Sequence, residues 1–394
     1  MPWLETEPMK ERQQFIIDYR SGLYSVTELC DRFGISRKTG YKWLERFEHS
    51  GLAGLADHSR APHSSPHRTA QEIVALIRSA REQHPHWGPR KLRPWMVRHY
   101  PEQADHLPAV STIGDIIKRE GLIRSAPRRR RWPHPNPDLR APIMPNQLWS
   151  ADFKGQFRLA NGQECYPLTL EDGYSRFLLA CVALPSIERL GVQPLFEQCF
   201  RRYGLPEAIR TDNGTPFAST AICGLTKLNV WWIKLGIRHQ RIEPGHPQQN
   251  GRHERMHRTL KAETTHPPAA AQAEQQTRFE TFLTEYNTER PHDALDGRTP
   301  ASLYTPSVRP YPARLPAPKY AGHMQVRQVS NAGCFRFNAR QIFISDALIK
   351  EQIGLEETGD GIWSIYFYDV LLARLDERDY KLYAGAPKER LTPV

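Results

Sequence analysis

The sequence predicts a multidomain chain with all-α modules first, an α/β domain on a mixed five-stranded sheet next, and a small all-β barrel last. The 394 residues exceed one ordinary domain. Apolar residues recur at helical spacing up to about residue 120, and residues 320 to 380 carry strand-like alternation. We expect domains at 1–58, 66–123, 146–305 and 320–380, with a basic, proline-rich linker at 124–145.

The composition indicates the kind of partner and compartment. The formal net charge is +11 and the pI is about 9.4, which favours a polyanionic partner, nucleic acid first. The cysteines form no C-x-x-C pair, so neither a zinc finger nor a disulfide framework is expected. The sequence has no apolar run long enough to span a membrane and no signal-peptide pattern. We therefore expect a cytoplasmic protein with no membrane association.

The first all-α module, residues 1–58, has the pattern of a helix-turn-helix unit. Ser25 and Glu28 have the spacing of a capping box, Gly34 supplies a turn, and Ser36 begins the next helix. In such units the first residues of the second helix meet base edges. The candidates for DNA contact on this helix are Arg37, Lys38, Tyr41 and Lys42. A small helical bundle with a solvated basic face is the alternative.

The second all-α module, residues 66–123, repeats this theme. Thr69 and Glu72 suggest a capping box, Ser111 suggests the cap of a last helix, and Gly121 suggests its end. Two such modules could span a long DNA site. His84 and His86 lack a suitably spaced cysteine pair, so they are interpreted as surface histidines rather than metal ligands.

The linker combines a cationic run with many prolines. Arg128, Arg129, Arg130 and Arg131 precede Trp132, and prolines follow. This composition suits contact with DNA phosphates and base stacking. A solvated tether without specific contacts explains it equally well.

The central region places three carboxylates in segments that could converge. Asp152 lies on a predicted strand, Asp212 at the end of another, and Glu254 just inside a helix that runs to about Lys261. The segments Cys165–Leu170 and Arg176–Leu184 complete a three-stranded meander with the Asp152 strand, turning at Asp172-Gly173.

This carboxylate set suits divalent-metal chemistry. Mg²⁺ prefers a few carboxylate oxygens, and two ions could activate an attacking oxygen and stabilise a leaving one. Arg258 and Lys261 share the helix face of Glu254 and could hold a DNA backbone beside the metals. Three unrelated surface acids are the alternative.

Several motifs resemble those of one enzyme group. They are Trp149-Ser150-Ala151-Asp152, Arg210-Thr211-Asp212-Asn213-Gly214, Pro247 to Arg255 with Arg258 and Lys261, and Tyr286-Asn287 with Arg290-Pro291-His292. Together they resemble DDE transposases of the retroviral-integrase-like group, most similar to the IS481 and IS3 insertion-sequence families.

The resemblance implies a ribonuclease H-like catalytic core with Asp152, Asp212 and Glu254 as catalytic and metal-binding residues. It implies Mg²⁺ or Mn²⁺, as two ions, and makes Lys261 a DNA contact. The expected protein is a transposase that binds the terminal inverted repeats of an insertion sequence, cleaves strands and transfers the 3′-OH into target DNA. It would act as a homodimer or higher homo-oligomer on double-stranded DNA, at the nucleoid.

Two rival interpretations remain. A serine or tyrosine recombinase needs a covalent nucleophile, and the sequence sets up no activated one. A DNA-binding regulator with an inactive integrase-like domain is opposed by the intact carboxylates. The C-terminal barrel, in which Trp363, Ile365 and Phe367 alternate with polar residues, is expected to bind DNA, to bind a sister subunit or to serve as a structural cap.

Overall fold

The computed structural model describes residues 7–57, 68–123, 141–219, 224–243 and 251–384. The chain forms two compact units, Met1–Arg68 and Thr69–Val394. The helices are α1 (Pro8–Arg20), α2 (Val26–Arg32), α3 (Arg37–Ser50), α4 (Gln71–Gln83), α5 (Pro89–His99), α6 (Val110–Arg119), α7 (Arg189–Tyr203), α8 (Lys227–Lys234), α9 (Gly251–Thr264) and α10 (Gln272–Thr288). The strands of the central region are β1 (Leu148–Phe153), β2 (Phe157–Arg158), β3 (Glu164–Asp172), β4 (Leu178–Leu184), β5 (Ala208–Thr211) and β6 (Arg238–Arg241). The C-terminal strands are β7 (Gln325–Gln328), β8 (Cys334–Phe337), β9 (Arg340–Phe343), β10 (Gln352–Gly359), β11 (Ile362–Phe367), β12 (Val370–Asp376) and β13 (Lys381–Ala384).

Helices α1 to α3 form the predicted helix-turn-helix unit. The capping box of Ser25 and Glu28 is present, and Ser36 caps α3 by accepting the Thr39 N–H. Gly34 adopts a positive φ of 61° at the turn, where a side chain would be strained. Gly40 allows α3 to approach its neighbours, because a Cβ there would lie 2.6 Å from Cys30 Sγ.

Helices α4 to α6 surround a separate apolar cluster that includes Ile77, Trp87 and Ile113. Two predicted caps are wrong. Helix α4 begins at Gln71 after Ala70, and α6 begins at Val110 after Ala109, each without a side-chain cap. Thr69 therefore precedes the capping position and Ser111 lies inside the helix, where neither oxygen takes the capping role.

The central sheet has the predicted mixed character. Strand β1 pairs antiparallel with β3 and β3 antiparallel with β4, which forms the expected meander. On its other edge β1 pairs parallel with β5, and β5 pairs parallel with β6. The short strand β2 pairs with the start of β3 and extends the five predicted strands to six.

Helices cover both faces of this sheet. Trp149 and Ala151 of β1 pack with α7 and α8, in a cluster that contains Phe196 and Trp232. Cys165 and Cys181 face Met256 of α9 and the aromatic residues of α10, in the cluster Leu159, Cys165, Leu178, Cys181, Ala183, Met256, Leu260, Phe279, Phe282 and Tyr286. Because side chains alternate along a strand, Asp152 and its partner Thr169 lie on the face toward α9.

The C-terminal region is all-β, as expected. Its strands pair antiparallel in the order β13-β12-β11-β10-β7, with β8 and β9 as a separate pair. Ile365 and Phe367 are fully buried, while Trp363 packs at the border of the core. Val230 and Ile233 of α8 join this core, so the region is anchored on the central domain. The expected closed barrel is corrected, because strand pairing within the described residues leaves β13 and β7 as edges.

His84 is not a simple surface residue. Its ring stacks on Trp87 with centroids 3.8 Å apart, and its Nδ1 lies 2.9 Å from Glu285 Oε1 of α10. His86 is exposed, as expected. Across the described ranges, no helix combines the length and apolarity needed to cross a membrane.

Candidate active site

Asp152 and Asp212 are placed by two adjacent parallel strands. Leu148 pairs with Ala208 and Ser150 with Arg210, so each aspartate lies two residues beyond the last paired position. Neighbouring strands run about 5 Å apart. The two side chains therefore leave the same end of the sheet side by side. Gly214 N–H donates to Asp212 Oδ1 over 3.1 Å, which orients that carboxylate at the strand end.

Glu254 is exposed in the first turn of α9, the helix that covers this face of the sheet. The pKa of Asp152 is raised to about 7, first by burial and then by the negative charges of Asp212 and Glu254, while a backbone hydrogen bond from Phe153 opposes the shift. Both carboxylates are thus close enough to Asp152 for their charges to act on it.

A buried polar network holds the backbone of Asp152 in place. Thr169 Oγ1 donates to the Asp152 carbonyl over 3.1 Å. The same hydroxyl lies 2.6 Å from His253 Nε2 and 2.7 Å from His257 Nε2. His257 Nδ1 in turn lies 3.9 Å from Asp152 Oδ2.

The tautomers follow from this geometry. Burial lowers the pKa of His253 to about 3 and that of His257 to about 2, so both rings are neutral. Because the single Thr169 proton goes to the Asp152 carbonyl, both imidazoles must donate Nε2–H to its lone pairs. Each Nδ1 then carries no proton, and that of His253 has no hydrogen-bond partner among the described residues.

A buried glutamate lies beside this network without a hydrogen bond to His253. His253 Nδ1 lies 3.8 Å from Glu171 Oε2, and Tyr286 donates its hydroxyl to Glu171 Oε1 over 3.4 Å. Burial raises the pKa of Glu171 to about 8, although Arg176 lowers it. The sequence predicts Glu171 in the turn after the strand; it instead lies within β3, because that strand extends to Asp172.

Two groups of side chains around Asp152 are candidate ligands for a divalent cation. Asp152, His253 and His257 offer ligand atoms that all lie within 4.8 Å of one another. This group differs from the three carboxylates predicted from the sequence. The Nε2 atoms of both histidines are committed to Thr169, so the imidazoles act on Asp152 as positioning groups. The carboxylates of Asp152, Asp212 and Glu254 are the oxygen donors that Mg²⁺ prefers, and their mutual repulsion would be relieved by a cation.

The predicted DNA contacts fall into three groups. Arg37, Lys38, Tyr41 and Lys42 are all exposed on α3, and Lys42 Nζ lies 4.0 Å above the Trp43 ring. Arg258 and Lys261 are exposed on α9, with Glu254. Arg128, Arg129, Arg130 and Arg131 lie outside the residues that the structure describes.

Sequence reasoning missed Thr169, Glu171, His253 and His257. The two histidines are four residues apart on α9 and so share a face, which is a detectable signal. Thr169 and Glu171 alternate on β3 with buried leucines. Their partners on α9 and α10 lie more than eighty residues away, and nothing local indicates them.

Comparisons with known protein families match most of the described chain. The "Integrase core domain" matches residues 142–247 and 235–300. A "Helix-turn-helix domain" matches residues 11–63, and a "Homeodomain-like domain" matches residues 39–117. The "IS481 family transposase, C-terminal domain" matches residues 324–382.

Similar proteins come from bacterial insertion elements. An uncharacterized 39.2 kDa protein of insertion element IS476 from Xanthomonas euvesicatoria is 28% identical over 70% of this chain and 76% of its own length. An uncharacterized 31.7 kDa protein of insertion element IS407 from Burkholderia multivorans is 25% identical over 64% of this chain and 87% of its own. Among solved structures, a chain of the simian T-cell lymphotropic virus intasome aligns over 71% of this chain and 97% of its own, with 16% identity and a TM-score of 0.37. The motif resemblance is confirmed by the family matches: the chain carries helix-turn-helix domains, an integrase core domain and the C-terminal domain of IS481-family transposases.

Proposed function

We propose that the chain is a DNA transposase that binds the terminal inverted repeats of an insertion sequence and cleaves a strand there. The freed 3′-OH then attacks a phosphodiester of target DNA, which joins the element end to one target strand and releases the other side of that bond. Residues 1–58 and 66–123 recognise the ends, and residues 146–305 carry out the chemistry. The observation that carries this proposal is the matched register of β1 and β5, which sets Asp152 beside Asp212 under the helix of Glu254.

The chain's own groups account for positioning. Thr169 holds the Asp152 backbone and is itself held by His253 and His257, and burial keeps bulk water away from all three side chains. The pKa of Lys154 is lowered mainly by burial and next by the positive charge of Lys261, while the charge of Asp152 opposes the shift. Lys154 and Lys261 therefore lie close to each other. A pair of cations therefore borders the carboxylates and suits a DNA phosphate backbone.

Two Mg²⁺ or Mn²⁺ ions held by Asp152, Asp212 and Glu254 would supply activation of the attacking oxygen and stabilisation of the leaving one. Carboxylates that repel one another in the absence of a counter-charge fit this role. The same arrangement serves hydrolysis, where water attacks, and strand transfer, where the 3′-OH attacks. The protein would act on DNA as a homodimer or higher homo-oligomer.

The test is cleavage of a duplex that carries a terminal repeat, in Mg²⁺. Asp152→Asn, Asp212→Asn and Glu254→Gln should each reduce cleavage by at least about a thousandfold, because each removes charge that holds metal. Binding of the same duplex should stay within a few-fold. Glu280→Gln, an exposed glutamate on α10, is the matched control and should cleave normally.

The same assay separates the regulator alternative. A protein that binds the repeat but cleaves at the rate of the Glu254→Gln variant is a DNA-binding regulator, and the transposase proposal fails. Normal cleavage by any one of the three variants would remove that residue from the site.

A further inference from the structure

A small basic cavity lies where α5, the β3–β4 turn, α9 and the segment after α10 meet. Its volume is about 90 Å³, enough for several water molecules or one phosphate-sized anion. The charged side chains that line it are Lys91, Glu171, Arg176, Arg252, Arg255 and Arg290.

The positive charge of this cavity is largely uncompensated. Arg290 pairs with Glu263 over 2.6 Å, but among the described residues Lys91, Arg176, Arg252 and Arg255 form no ion pair within 4 Å. Within the described part of the chain, the one hydrogen bond that the Arg252 side chain donates is to the Gly173 carbonyl, over 3.3 Å. Burial and then the nearby Arg290 lower the pKa of Lys91, while the charges of Asp293 and Glu263 oppose the shift.

The remaining polar groups of the lining offset only part of this charge, since Thr259 and Tyr286 carry none. Glu171 lies at the buried end, where burial raises its pKa to about 8 against the opposing charges of Arg176 and Arg252, so it ionises less readily than an exposed carboxylate. His292 also lines the cavity, and its Nε2 is buried without a hydrogen-bond partner within the described ranges. The cavity therefore presents polar groups and positive charge that a bound anion would satisfy.

The cavity is separate from the catalytic carboxylates. Along α9, Glu254, Arg258 and Lys261 share one face, whereas Arg252, Arg255 and Thr259 recur on another, whose centre lies roughly 125° around the helix. Glu171 lies two residues along β3 from Thr169, the partner of Asp152, so the cavity sits further along the same sheet face. An anion bound there is not the scissile phosphate.

We propose that this cavity binds a backbone phosphodiester of duplex DNA at a distance from the cleavage point. Arginine and lysine head groups around a phosphate-sized space match that ligand, and Lys91 comes from the second helical module while Arg255 comes from the catalytic helix. One phosphate would thus be held by both domains at once, which fixes the DNA between recognition and chemistry. The inference rests on the proposed function.

The experiment measures how the affinity of the full chain for a duplex of arbitrary sequence depends on salt. Removing the interaction with one phosphate makes the slope of log K against log salt shallower by about 0.9. Arg255→Gln and Lys91→Gln should each reduce the slope by about that amount, whereas Arg255→Lys keeps the charge and should keep the slope. Arg202→Gln, an exposed cation on α7 across the sheet, is the matched control and should leave the slope unchanged.

Neutral methylphosphonate linkages, placed one at a time in the duplex, locate the phosphate. At one position, the neutral linkage should weaken binding by the wild type relative to the unmodified duplex. The same linkage should not change binding by Arg255→Gln, since that variant no longer holds the phosphate. Additive effects at every linkage overturn the proposal.

The remaining outcomes are also decisive. If inorganic phosphate raises the melting temperature of the wild type but not of Arg255→Gln, while DNA slopes are equal, the cavity is a small-anion site and the DNA proposal is wrong. A wild type that binds no duplex removes the proposed function as well. A wild type that binds duplex with the same slope as Arg255→Gln removes only this inference.

Discussion

At the scale of single residues, Thr169 connects Asp152 to both buried histidines of the site. Its hydroxyl donates to the Asp152 carbonyl and accepts from two imidazoles, so it uses all of its hydrogen-bonding capacity. The side chain is fully buried. Its removal would leave two N–H groups without partners in a region that water does not reach.

Thr169→Val should therefore reduce both stability and catalysis. We expect a decrease of about 1–3 kcal/mol in the free energy of unfolding, the cost of buried polar groups left unpaired. Strand cleavage should fall while DNA affinity is kept, because the backbone of Asp152 is no longer held by this hydrogen bond. Urea unfolding and single-turnover cleavage measure the two effects.

Two variants control for this substitution. Thr169→Ser keeps the hydroxyl and should recover cleavage. Thr264→Val removes another buried hydroxyl, one that bonds only to the Leu260 carbonyl of its own helix, and should cost less than about 1 kcal/mol. An equal decrease of stability in the two valine variants would show that the network contributes nothing special.

The sequence could predict the carboxylates but not what supports them. Asp152, Asp212 and Glu254 sit in motifs whose strand, strand-end and helix settings are visible locally. Thr169 and Glu171 meet α9 only after the chain has folded, and no local pattern records which faces of β3 and α9 meet. The strong Asp172-Gly173 signal predicts a turn that includes Glu171, although the strand continues through Asp172.

At the scale of elements, capping separates what local chemistry decides from what packing decides. Ser25 and Ser36 cap the helices that they are predicted to begin. In each case the backbone N–H three residues later donates to the serine hydroxyl. Thr69 and Ser111 do not, because α4 starts later, and α6 earlier, than a cap at those positions requires. Ile73, Val74 and Ile113 are buried in the first turn of these helices.

Helix α3 carries the prediction that belongs to this scale. Tyr41 is 59% exposed and Lys38 is exposed beside it, so both are free to enter a groove. Lys38→Ala or Tyr41→Ala should weaken binding to a terminal-repeat duplex by about 1–3 kcal/mol more than binding to random DNA, as for base-edge contacts. Anisotropy titrations with Glu254→Gln as background measure this difference.

The control for α3 is Lys10→Ala, an exposed cation at the start of α1. It should weaken binding to both duplexes slightly and alike. If the α3 variants also bind both duplexes more weakly to the same degree, α3 is only an electrostatic surface. Lys42 is a less clean probe, because its ammonium lies over the Trp43 ring and its removal also affects packing.

At the scale of the whole chain, the module α4 to α6 rests on the catalytic domain through the end of α10. Trp95 Nε1 donates to Glu289 Oε2 over 3.2 Å, and His99 Nε2 lies 2.9 Å from the same oxygen. Arg98 donates to the Glu289 carbonyl over 2.6 Å, and His84 meets Glu285 one turn earlier. The sequence could not predict this interface, because its pattern indicates only two helical modules and predicts His84 as a surface residue.

These interactions predict that Glu289→Ala uncouples the module from the catalytic domain. Trp95 Nε1–H would be left without its acceptor and His99 Nε2 without its partner, at a cost of about 1–3 kcal/mol, so amides of α4 to α6 should exchange at lower urea than those of β1 and β3. The wild type should show one common transition for both groups. Since α5 carries Lys91 to the basic cavity, the variant should also give a shallower salt slope for DNA, although Lys91 itself is intact. The control is Glu280→Ala, on an exposed turn of α10, which should change neither measurement. If Glu289→Ala also changes neither, the module is held by apolar packing and the Glu289 carboxylate is not needed.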